Sequence, residues 1–297
     1  MLRIGCVIGV SVGLCLAPPA TAAAAVPLAQ HRAVYDLTLA PGADGVEAAR
    51  GRIAIEFFGS PCEGWTTRVR QVTALDLGDG GTRTLDSNSA TFEEPDGALL
   101  RFRSETRANG RTLSAVDGSA RRVDGDTRVV VEAHDHEAND REANDREAPE
   151  RNAPGPETPG PETLVVPGTP LFPTQHIARL IGEAASGAVL FAAPVFDGTG
   201  DGRTVYDTLA VIGPPLAADA PEGAEAGPEA ALGDLARWPV RLSYYEPGPG
   251  ERVPDYTIGF TLFANGVSSD LRLEFDGFTL RGELSTLELV EPQDCRL

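Results

Sequence analysis

The chain contains no lysine. All 25 of its basic residues are arginine, which excludes Schiff-base chemistry, a phosphate-loop lysine and a lysine general base. Histidine is scarce as well, with four in 297 residues. There is no Gly-x-Ser-x-Gly elbow, no His-Glu-x-x-His pair and no Cys-x-x-Cys, so hydrolase, zinc-protease and disulfide-exchange chemistry find no local signature. Acid pairs such as Glu93-Glu94 read as solvated faces, and nothing marks one of them as an acid/base couple. No run beyond the first two dozen residues is long and apolar enough to span a bilayer. The expectation is a protein without enzymatic activity and without a cofactor.

Cysteine is the next scarcity, and the N-terminus explains it. Met1-Leu2-Arg3 is a short basic stretch, Ile4 to Leu16 is apolar, Pro18-Pro19 ends any helix, and Ala20 to Ala25 offers small-x-small cleavage sites. This is the grammar of a cleaved secretory signal, expected over residues 1–24, which places the mature protein in the periplasm with no stable membrane span. Cys6 and Cys15 fall within that signal, and Leu14 before Cys15 is too large for a lipobox. Cys62 and Cys295 remain, one near each end of the mature chain. Two cysteines in an oxidising compartment are expected to form one long-range disulfide.

The formal charge of −19 argues against nucleic acid and against anionic membrane surfaces. The acidity is concentrated. Residues 134–163 carry nine acids against three arginines, and residues 214–236 carry five acids and no base, so these two tracts hold eleven of the nineteen charges. The first repeats itself: Glu142 to Arg146 echoes Glu137 to Arg141, and Pro159 to Thr163 echoes Pro154 to Thr158. The second is built from Ala, Pro, Glu and Gly. Neither has an apolar period, so both read as disordered acidic insertions in surface loops, dispensable for folding. His134 and His136 flank Asp135 in the first tract, but without further ligands at fixed spacing they do not make a metal site.

The rest of the mature chain, residues 25–297, reads as a single strand-rich domain. Arg52 to Phe58 alternates with Ile53, Ile55 and Phe57 on one face. Gly64 to Val72 is β-branched and alternating, and similar runs recur to Val290. Asp96-Gly97, Asn109-Gly110, Asp117-Gly118, Gly125-Asp126 and Asn265-Gly266 supply the positive φ angles of tight hairpins where runs meet. No strand–helix alternation suggests a parallel sheet. One helix stands out from Gln175 to Ala185, with Thr174 placed to cap it, Ile177, Leu180, Ile181 and Ala184 on one face, and Gly187 as a stop. Asp197-Gly-Thr-Gly-Asp-Gly resembles a calcium loop only in part. Thr199 and Thr208 stand where oxygen-rich ligands belong, and a turn is the better reading. His176 reads as a half-buried side chain satisfied within the fold.

The order and spacing of several segments resemble the EipB-like cell-envelope integrity proteins of alphaproteobacteria. They are Pro27 to Leu37, Gly51 to Phe57, Cys62-Glu63-Gly64-Trp65, Phe172 to His176, Phe196-Asp197-Gly198 and the C-terminal Cys295. The resemblance covers the mature chain apart from the two insertions. It implies a mainly β fold: a strongly bent antiparallel β-spiral, barrel-like but partly closed, with one main α-helix packed against it. It also implies support of envelope integrity in the periplasm and a structural disulfide matching Cys62 and Cys295. Two modes of action are expected: binding a periplasmic protein partner, with a repeat-type scaffold protein as first candidate, or binding an apolar envelope component. A lipid or lipoprotein carrier is the alternative, with an apolar cavity lined by Phe57, Trp65, Phe102, Leu180, Phe260 and Phe275 and a lipid-like ligand inside.

Overall fold

The computed structural model describes residues 27–133, 160–217, 227–250, 252–291 and Cys295. Fourteen strands form one antiparallel sheet: β1 (His31–Leu39), β2 (Ala48–Ser60), β3 (Gly64–Asp76), β4 (Thr82–Glu93), β5 (Leu99–Ala108), β6 (Arg111–Val123), β7 (Asp126–Ala133), β8 (Glu162–Val166), β9 (Leu190–Val195), β10 (Tyr206–Ile212), β11 (Arg237–Tyr245), β12 (Tyr256–Phe263), β13 (Ser268–Phe275) and β14 (Phe278–Leu289). Helix α1 (Pro173–Ala185) is the α-helix among the described residues.

The strand order runs β8 to β1, then β14 down to β9. Two meanders are thus joined by one non-local pair, β1 on β14, in which His31 faces Leu289. That pair brings the ends of the described chain together, and the disulfide is consistent with it: Cys62 and Cys295 are bonded, with Cα atoms 5.9 Å apart across 233 residues of sequence.

Fourteen strands laid flat would span about 60 Å. Here the two edges meet instead. The chain leaving β8 touches β9, where Leu171 N–H donates to Pro194 C=O (2.8 Å) and Phe196 N–H donates to Leu171 C=O (2.9 Å). Phe196, just past β9, packs edge-on against Phe102 of β5 with centroids 5.6 Å apart, and Arg203 pairs with Glu162 of β8 at 2.7 Å. The sheet therefore coils round on itself, yet β8 and β9 do not hydrogen-bond as strands, and it stays unclosed.

The interior is filled in sections. Helix α1 buries Leu180, Ile181 and Ala184 against Phe191, Ala210, Trp238, Val240 and Leu262 of β9–β12, as its apolar stripe requires. The middle is closed by Tyr35, Leu37, Ile53, Leu273 and Leu280. The far end is closed by Leu100, Phe102, Val129, Val131, Phe172 and Phe196.

Several local expectations change. Asp117-Gly118 is no turn: β6 runs straight through it from Arg111 to Val123. Gly118 is needed for space, because a Cβ there would lie 2.3 Å from the Phe102 ring. The Asn109-Gly110 corner does take the paired positive φ angles of a tight hairpin, whereas the corner expected at Gly125-Asp126 lies one residue earlier, at Asp124-Gly125, because Asp126 already begins β7. The second acidic tract is shorter than its composition implies. Pro228–Leu232 forms a 3-10 turn, and Leu232 is buried against Phe263 and Val267, because one leucine facing a groove outweighs the polar bias around it. Glu162 and Thr163, assigned to the first tract, belong to β8. Residues 134–159 of that tract, with His134 and His136, lie outside the described residues, as does the signal.

Candidate functional site

An apolar cavity of about 200 Å³ lies where β1, β2 and β3 meet the first turn of α1 and the β12–β13 corner. Its walls are Leu28, His31, Tyr35, Ile55, Phe57, Thr67, Pro173, Thr174, Ile177, Gly266 and Ser268. Alternation along β1 and β2 turns His31, Tyr35, Ile55 and Phe57 to the same side. Trp65 stacks on Phe57 with centroids 4.8 Å apart.

Two polar groups of the wall are occupied. Tyr35 Oη–H donates to Ser268 C=O (2.7 Å). His31 Nδ1–H donates to Ala29 C=O (2.8 Å); burial lowers the imidazole pKa and so favours the neutral ring, opposed by that hydrogen bond. Burial likewise pushes the Tyr35 phenol upward. The lining is uncharged and suited to hydrocarbon.

The cavity depends on the position of α1, and a residue the sequence did not single out sets that position. Glu93, at the end of β4, is 3 % exposed. Its carboxylate accepts from Thr174 N–H (2.9 Å) and Gln175 N–H (3.2 Å), two of the unpaired donors of the first helical turn. Thr174 is thus not the cap; a carboxylate from the sheet is. The Gln175 side chain turns back to accept from Phe172 N–H (3.3 Å) and from Arg122 (2.7 Å). Arg122 also lies over the Phe172 ring at 4.8 Å. Burial raises the Glu93 carboxyl above its usual range, opposed by the Thr174 and Gln175 donors and by the Arg122 charge.

The six residues expected to line one cavity are dispersed. Phe57 lines the cavity, and Trp65 backs it. Leu180 is fully buried in the helix–sheet core. Phe102 closes the far end against Phe196, and Phe260 is part-buried between the helix core and the middle core. Phe275 is 41 % exposed and stacks on Phe278 at 5.0 Å beside the β13–β14 corner. Coiling of the sheet divides its inner face among separate cores, so inward-facing aromatics need not share a space. Leu28, Ile177 and Gly266 were not legible as neighbours of Phe57, because three distant segments bring them there.

Among the described residues no group of histidine, cysteine and acidic side chains could hold a metal. In the loop resembling a calcium site, Asp197 accepts from Thr199 N–H (2.9 Å) and Thr199 Oγ1–H (2.8 Å), and it is a turn. Gly198 there presses on Phe102, where a Cβ would come within 2.2 Å. His176 is buried, not half-buried. It stacks on Phe191 and donates to Thr208 Oγ1 (3.3 Å), whose own hydroxyl donates to Ala193 C=O (2.8 Å). Burial lowers its pKa to about 4.

A coiled, unclosed antiparallel sheet with a helix in its hollow and a small apolar cavity defines a barrel-like β protein. The chain belongs to the EipB-like family, which it matches over residues 22–146 and 140–291. It is 32% identical, over 278 residues covering 92% of this chain and 88% of the relative, to the cell envelope integrity protein EipB of Brucella abortus (strain 2308). A crystal structure of a beta-barrel-like protein of a domain of unknown function from Brucella abortus is similar with a TM-score of 0.74 and 31% identity, covering 90% of this chain and 100% of that one. The chain is thereby related to proteins of cell-envelope integrity.

Proposed function

We propose that the protein is exported, loses residues 1–24, and supports envelope integrity from the periplasm by binding rather than by catalysis. The observation that carries this reading is the uncharged cavity beside Phe57, in whose wall the Tyr35 hydroxyl and His31 Nδ1 are already hydrogen-bonded. Its volume of about 200 Å³ is below the roughly 300 Å³ at which pockets begin to enclose a drug-sized molecule. It suits the end of one acyl chain, or an apolar side chain of a partner, better than a whole lipid. This favours an apolar anchor over a carrier in the strict sense. A periplasmic protein partner, with a repeat-type scaffold protein as first candidate, is the other half of the reading.

The test is titration of the purified mature protein with a fluorescent fatty-acid probe. Ile177→Phe, which fills the cavity from the helix side, is expected to abolish uptake, while Phe275→Ala, remote from the cavity, leaves it intact. No uptake by the wild type, or equal uptake by Ile177→Phe, overturns the assignment of the cavity.

A further inference from the structure

The outer face of β3–β7 carries charge that the fold does not use. Leu100, Phe102, Val116, Ala120, Val129 and Val131 face the core, so the alternate residues face outward. Across the strands, Arg68 stands opposite Ala90, Ala90 opposite Arg103, and Arg103 opposite Asp117. Arg101 stands opposite Ser119, and Arg121 stands opposite Arg128. Long guanidinium side chains beside a floor of Ala90 and Ser119 leave an open groove of about 500 Å³.

Several other outer-face arginines find close partners, although Arg272 and Arg281, opposed across β13 and β14, do not among the described residues. Arg52 reaches Asp36 at 2.7 Å, Arg70 reaches Asp86 at 3.0 Å, and Arg252 reaches Asp207 at 2.7 Å. Here Arg68 and Arg103 make only long pairs, with Glu56 at 3.5 Å and Asp117 at 3.6 Å. Arg101, Arg121 and Arg128 are exposed and have no hydrogen-bond or ion-pair partner among the described residues. Like charges directly opposed across strands are destabilising. In a chain of net charge −19, five arginines gathered in and beside one groove make this a part of the surface with a demand for anions.

We propose that this groove, lined by Arg68, Arg101 and Arg103, together with the Arg121–Arg128 pair one register step beyond it, docks an acidic segment of a protein partner, whose carboxylates pair with Arg101, Arg121 and Arg128. Guanidinium forks match carboxylates bidentately, and arginine is enriched at the centres of protein interfaces. Two features favour a protein over an anionic membrane. The site is a depression, not a protrusion that could meet a planar surface. It also carries Asp117 and Glu132 among its arginines, which a uniformly anionic surface would be repelled by and a mixed protein surface would not. The inference deepens the partner half of the proposed function and makes no use of the cavity.

The experiment is fluorescence anisotropy of the full mature chain with a labelled peptide of alternating glutamate and glycine, beside a flotation assay with phosphatidylglycerol vesicles. Peptide binding that weakens about tenfold in the Arg101→Gln/Arg121→Gln/Arg128→Gln variant, as loss of three exposed ion pairs gives, and that fades with added salt, supports the proposal. An Arg32→Gln control on the same outer face should bind as wild type. The triple variant should melt no lower than wild type; if it does, Arg121→Gln alone carries the comparison. Absence of peptide binding, binding unchanged by the substitutions, or binding to vesicles in place of peptide overturns it. The fatty-acid titration is a separate measurement, so either reading can fail without the other.

Discussion

Removing the Glu93 side chain tests whether the sheet, and not the helix's own sequence, holds α1 in place. In Glu93→Ala the Thr174 and Gln175 donors, now 2.9 and 3.2 Å from carboxylate oxygens, lose their acceptor beside a buried Phe172. Loss of a helix cap costs about 0.5–2 kcal/mol, and leaving a buried donor unmatched costs roughly 1–3 kcal/mol. Against this, the variant no longer buries a carboxylate, whose raised pKa shows that burial penalises its charge. Both figures describe the same lost acceptor and are not added, so the net expectation is a loss of about 2 kcal/mol. Glu93→Gln keeps one acceptor and should lose about half of that, since charge-assisted bonds are roughly twice as strong as neutral ones. Urea unfolding with an unchanged m-value is the assay, and hydrogen exchange at Thr174 and Gln175 should accelerate in both variants. Glu94→Ala is the control and should stay within about 0.5 kcal/mol. If Glu93→Ala were as mild as Glu94→Ala, the sheet-borne cap would not be what positions the helix.

Three further outcomes follow from the same geometry. Cys62→Ala/Cys295→Ala should lower stability by up to about 5 kcal/mol, the chain-entropy value for a loop of this length, and thiol labelling of the native wild type should find both cysteines blocked; two free thiols would refute the pairing. Leu180→Ala should cost about 2–5 kcal/mol in the same urea assay, because the side chain is fully buried where α1 meets β9–β12; a cost near zero would mean that the stripe is not packed. For His176 the folded pKa of about 4 lies below the ordinary imidazole value of 6.5, so the unfolded chain binds a proton first as pH falls. Stability from this group is whole above pH 6.5 and declines between 6.5 and 4 by about 3 kcal/mol. Glu93 and Asp197, with raised pKa values, act in the opposite sense as they protonate. His176→Gln should therefore flatten the decline between pH 6.5 and 4, and an unchanged slope would refute the assignment.

The sequence by itself determined those features that are local or that follow from simple counting. Alternation marked strands such as Arg52 to Phe58, and Asn109-Gly110 marked a hairpin, because a two-residue period and a positive φ are properties of neighbouring residues. The helix stripe of Leu180 and Ile181 was legible from its spacing. The bond between Cys62 and Cys295 was legible because only these two cysteines lie outside the expected signal. Tertiary structure decided the rest. Asp117-Gly118 carries a turn signature yet lies inside β6, because the glycine is there to admit the Phe102 ring. Leu232 is ordered by a groove formed with Phe263 and Val267. Glu93 looks like its solvated neighbour Glu94 and becomes a buried cap only when the coiled sheet brings β4 to Thr174. The cavity gathers Phe57, Ile177 and Gly266 from segments more than a hundred residues apart in part. Spacing along the chain carries no record of such neighbours, since it is the coiling of fourteen strands, completed by the pairing of β1 with β14, that sets which inward-facing side chains meet.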